Sequence, residues 1–179
     1  MSPVHTGAEA LELLRTLVDE AAADPAFVQA FVPRCEGAVE AAVALTDGLR
    51  RRLGPRPPID AGAVQVGAAL RGVGQLVSPP SPAEGRRLLL ARGLPDHLAS
   101  LSLTLEGGPR DGLAIEALLV VLAEVLATGE RDPALEAHVV ERLARASGHA
   151  RWRVNEIADS VFEAVATRGR ERHRRDSPA

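Results

Sequence analysis

Three times in 179 residues a short capping side chain stands directly before Pro-Ala: Asp24-Pro25-Ala26, Ser81-Pro82-Ala83 and Asp132-Pro133-Ala134. Each side-chain oxygen can accept from the free N–H groups of a first helical turn. The proline takes the first helical position, where its missing N–H costs nothing. Ser81 with Glu84, and Thr6 with Glu9, have the spacing of a capping box. Gly93 and Gly148 fall where helices end, and Pro33 and Pro95 restart the chain. These marks predict nine helices, over 6–23, 25–32, 33–53, 60–77, 82–92, 95–105, 111–128, 133–147 and 150–167. Composition agrees: Ala and Leu supply 55 residues, Ile and Thr only nine, and Tyr is absent. Strands want β-branched and aromatic residues, so the chain is expected to be all-α.

Most segments carry one apolar stripe at helical spacing, as in Ala38, Ala42, Leu45, Leu49 and Leu53 opposite Glu36, Glu40, Asp47 and Arg51. The segment 111–128 is apolar around most of its circumference, leaving a strip at Glu116, Val120 and Glu124, so it is expected at the centre. The linkers 54–59 and 106–110 are short. One helical domain over 1–167 is expected, followed by a basic, flexible tail over 168–179.

The three capped starts recur 57 and 51 residues apart, and each leads through shorter helices to a long one, at 60–77, 111–128 and 150–167. Units of this kind cannot bury their faces alone and share a core when stacked. In RRLLLARGLPDHLASLSLTL followed by AIEALLVVLAEVLA the chain resembles the armadillo-like repeats, and the resemblance extends over residues 24–167. It implies an armadillo/HEAT-like right-handed α-solenoid of about three short repeats, with the long helices lining one concave face. Armadillo proteins that bind extended peptides carry Trp and Asn on those helices, the Trp packing on the peptide and the Asn pairing with its backbone. The matching pair here is Trp152 and Asn155, three residues apart and confined to the last long helix.

On a helix starting near Ala150, Trp152 projects with Asn155, Glu156, Asp159 and Glu163, away from the apolar stripe of Val154, Ile157, Val161 and Val165. A large aromatic on a polar face is a binding anchor; the other reading folds it back over the preceding helix. Gly62, Gly67, Gly72 and Gly74 share one segment, which reads either as close approach of a neighbouring helix or as a surface where a guest backbone crosses. The expected binding residues are Gln65, Gly72, Glu116, Glu124, Trp152, Asn155 and Asp159. That face is mildly acidic, so the expected guest is a protein or peptide segment carrying Arg or Lys.

Catalytic and metal chemistry find little support. All 21 basic residues are Arg, which removes Schiff-base chemistry and the phosphate-loop lysine. The five His are scattered, none in a Glu-x-x-His or His-Glu-x-x-His pattern, and no Gly-x-Ser-x-Gly elbow occurs. No enzyme activity, cofactor or metal is expected. Cys35, the one cysteine, follows Pro33-Arg34 at an expected helix start, where a modestly lowered pKa goes with a mainly structural role. A lone Cys, no leader pattern at the start and no apolar run of roughly 20 residues point to the cytoplasm and away from membranes. The net charge is −3, and the tail arginines lack interleaved aromatics, so no specific nucleic-acid binding is expected. The expected function is a non-catalytic protein-interaction module or subunit of a larger assembly. The alternative, from another class, is a compact all-α bundle enclosing a small apolar ligand.

Overall fold

The computed structural model describes residues 4–54, 58–103 and 113–176. The expected linker 106–110, and part of the linker 54–59, lie outside the described residues. Among the described residues there are eight α-helices and no strand: α1 (Gly7–Glu20), α2 (Pro25–Leu53), α3 (Ala61–Leu70), α4 (Pro82–Ala91), α5 (Asp96–Leu101), α6 (Ile115–Ala127), α7 (Pro133–Ser147) and α8 (Arg151–Asp176). All three capped prolines open helices. Asp24 accepts from the N–H groups of Ala26 and Phe27, Ser81 from Glu84, and Asp132 from Leu135. Thr6 and Glu9 close the capping box of α1. No described helix is long and apolar enough to cross a membrane.

Three boundaries differ from expectation. The segments 25–32 and 33–53 form one helix, α2, with Pro33 inside it. Phe31, Cys35, Ala38, Ala42, Leu45, Leu49 and Leu53 form an unbroken buried stripe across that proline. An interior proline costs about 3 kcal/mol. Each large side chain of the stripe contributes roughly 1.5–3 kcal/mol by burial, so the stripe prevails. The expected helix 60–77 stops at Leu70. Arg71 is extended, Gly72 turns left-handed at φ 83°, and Val73–Leu76 form a 3-10 turn. At the other end of the chain, α8 continues beyond 167 through the expected tail to Asp176. Gly169 lies so close to the end of α6 that a Cβ there would collide with the Leu126 carbonyl. Beside it Arg170 Nη1 donates to the Gly129 carbonyl at 2.9 Å.

The longest helix organises the rest. At 1.5 Å per residue α2 is about 43 Å long, and it packs against α1, α3, α6 and α8. As expected, α6 is central: it meets α2, α3, α5, α7 and α8, and buries Leu118, Leu119, Val120, Leu122, Ala123 and Leu126. Val120, expected on its polar strip, is fully buried against Gly67 of α3. In a stack whose layers touch only their neighbours, residues 24–77 would not meet residues 132–167. Here α2 runs along α8, with Gly48 against Val161 and Arg52 Nη1 donating to Ser160 Oγ at 2.7 Å. The three segments therefore share one core around α2 and α6 instead of forming separable layers.

Candidate functional site

The seven expected binding residues divide into two groups. Four are occupied inside the molecule around α3, and a fifth, Asp159 on α8, is paired with Arg131. Gln65 Oε1 accepts from the Gly7 N–H at 3.4 Å, at the first turn of α1. Glu116 Oε1 accepts from the Asp60 N–H at 3.3 Å, just before α3. Glu124 pairs with Arg71, whose side chain is only 11% exposed. Gly72 is buried at the left-handed turn beside Phe31, so its lack of a side chain serves backbone conformation. These four fasten α3 to its surroundings and do not join the other three. Trp152, Asn155 and Asp159 lie together on the exposed face of α8.

Beneath that face is a groove between α7 and α8. The left-handed Gly148 closes α7 and lets the chain double back into α8. Both helices are amphipathic: Leu135, Val139 and Leu143 point inward from α7, and Val154, Ala158, Val161 and Phe162 from α8. Where their edges meet, a cavity of about 210 Å³ opens, lined by Pro133, Glu136, Ala137, Val140, Asn155, Asp159 and Phe162. One turn up α8 from Asn155 stands Trp152, 71% exposed. It is not folded over the preceding helix. Val43, at 37%, is the other large apolar side chain exposed among the described residues.

Charge beside the groove is concentrated on Arg131, which pairs with the lining carboxylates Glu136 and Asp159 and which sequence reasoning did not single out. Its Nε and Nη2 hold both oxygens of Glu136 at 2.5 and 2.7 Å, Nη2 also reaches Asp159 Oδ1 at 2.7 Å, and Nη1 reaches Glu163 Oε2 at 2.9 Å. The guanidinium lies 6.0 Å from the centre of the Phe162 ring. These carboxylates, Glu136 first, raise its pKa further above the ordinary arginine value. Glu163 is held below the usual carboxylate range, first by Arg170 and then by Arg131. Three carboxylates on one guanidinium leave the lower groove acidic, although Arg170 shares Glu163 at 2.5 Å. The Arg131–Glu136 spacing of five residues matches no helical pair pattern. Arg131 precedes α7, so only the folded chain brings it to Asp159.

Elsewhere the reactive groups stand apart. Cys35 lies in the third turn of an unbroken α2, so no helix start lowers its pKa; burial pushes the thiol up to about 12. His138 Nδ1, on α7, sits 2.8 Å from the Ala134 carbonyl, and His149 Nε2, in the connection between α7 and α8, sits 3.3 Å from the Leu53 carbonyl. Among the described residues no group of three or more His, Cys, Asp or Glu is placed to hold a metal ion. No family model, curated protein or solved structure matches the chain.

Proposed function

We propose that this chain is a non-catalytic protein-interaction module, cytoplasmic in setting, that holds a segment of a partner in the groove between α7 and α8. The observation that carries the reading is the exposure of Trp152 beside a concave surface floored by Val140 and Phe162. An indole buries a large area at low entropic cost and anchors an interface when a pocket lies next to it. Asn155, one turn further along, offers an amide to a guest backbone, and Asp159 and Glu163 favour a guest carrying Arg or Lys. From the armadillo-like resemblance the reading keeps the Trp–Asn pair on a long helix, in one groove instead of a continuous wall.

The test is affinity capture with chemical cross-linking from the native host, comparing the parent with Trp152→Ala. A groove partner is retained by the parent and weakened at least tenfold by the variant. Because the indole is exposed, the variant should unfold within about 0.5 kcal/mol of the parent. Equal retention of every partner by the two proteins refutes the assignment. A co-purified small apolar molecule, seen by native mass spectrometry, would replace it with the ligand-enclosing reading.

A further inference from the structure

The opposite end of α8 carries a second concavity. Between α2 and the C-terminal half of α8 lies a groove of about 230 Å³. Its floor is kept low by Gly37, Ala41 and Gly169. Arg168, Arg172 and Arg175 line it, and their spacing of four and then three residues puts them on one face of the helix. The carboxylates in the groove are Glu40 and Glu171, so its side chains carry a net charge of about +1.

The arginines are held unequally. Arg172 is fixed: Nη2 pairs with Glu40 Oε1 at 2.9 Å, and Nη1 lies where a Cβ on Gly37 would come within 2.5 Å of it. Its side chain is 26% exposed. Arg168 and Arg175 are exposed and make no ion pair or hydrogen bond among the described residues. Complementing the helix dipole explains cations in the last turn, such as Arg175, but not Arg168 two turns earlier. The negative end of α6, which reaches this groove at Ala127, is answered separately by Arg170 on the Gly129 carbonyl.

We infer that this groove binds a single phosphate group, as inorganic phosphate or as a phosphate monoester. Arg172 provides the fixed donor, and Arg168 and Arg175 close on the anion from either side. Three guanidiniums offer charge-assisted hydrogen bonds to three terminal oxygens, whereas a carboxylate has only two to receive them. Without aromatic side chains to stack bases, the groove selects one phosphate and not a nucleic-acid strand.

The test is titration calorimetry of the full chain with inorganic phosphate and with O-phosphoserine, each against chloride at matched ionic strength. Saturable binding is expected for at least one of them. The double variant Arg168→Gln/Arg175→Gln should lose at least tenfold in affinity while melting like the parent, because both side chains are exposed. Gly37→Ala, which displaces Arg172, should also weaken binding. Tighter binding of O-phosphoserine supports a monoester as the guest, and tighter binding of inorganic phosphate supports the free ion. No heat beyond the chloride control, or a double variant that binds as well as the parent, overturns the inference. The Trp152 groove lies at the other end of α8, so Trp152→Ala should leave phosphate binding unchanged.

Discussion

The Cys35 thiol is 3% exposed and its pKa is pushed up to about 12, first by burial. At pH 8 almost none of it is thiolate, the form that reacts. Ellman's reagent should therefore label the native protein far more slowly than the urea-denatured chain, where the thiol returns to its ordinary pKa. Equal rates in the two states would mean that α2 opens readily at this point. Cys35 reads as a helix-start residue only because Pro33 looks locally like a boundary. Trp152 was easier to place, since helical geometry alone separates residues 152, 155 and 159 from the stripe at 154, 161 and 165. Gln65, Glu116 and Glu124 were harder. A polar side chain on the rim of an apolar stripe looks the same whether it meets water, a free N–H of another helix or a buried guanidinium.

At the scale of elements, the glycines of α3 show how closely two helices approach. A Cβ on Gly67 would lie 2.6 Å from Val120 Cγ2 and 3.0 Å from Leu101 Cβ. Alanine is the better helix former by about 0.8–1.0 kcal/mol, yet overpacking a filled core costs typically 1–3 kcal/mol. Gly67→Ala should consequently lower stability by about 1 kcal/mol, read as a lower urea midpoint at unchanged slope. A variant more stable than the parent would show that α3 and α6 have room to separate. Close approach was one of the two readings of this glycine-rich segment, and the partners of Gly67 favour it. Composition could not reveal that Gly72 differs from Gly67, because one serves a positive φ and the other a helix contact. The extension of α8 was hidden for a related reason. Arg168 to Arg175 look like a solvated end until Gly169 and Arg170 are seen against the end of α6.

For the whole molecule, carboxylates link stability to pH. Glu9 is held below the usual range first by the His5 N–H, Glu20 by Arg92, and Glu163 by Arg170. A carboxylate whose pKa is lower in the folded state contributes stability above its unfolded pKa. That contribution disappears as pH falls through the lower, folded value. The urea midpoint should therefore fall progressively below about pH 5. The loss should be shallower in Glu163→Gln and smaller at high salt, since these groups face solvent. A midpoint level from pH 7 to pH 3 would show that these contacts add nothing to the fold. The sequence by itself determined the helical class, the capped starts of α2, α4 and α7, the central place of α6 and the outward face of Trp152. Capping bonds and helical periodicity act within a few residues, so they can be read locally. The tertiary structure decided that α2 passes through Pro33, that α8 reaches Asp176, and that Arg131 meets Asp159. Each of these depends on surfaces supplied by residues distant along the chain: the buried stripe of α2 is covered by α3, α6 and α8, which begin only after it ends.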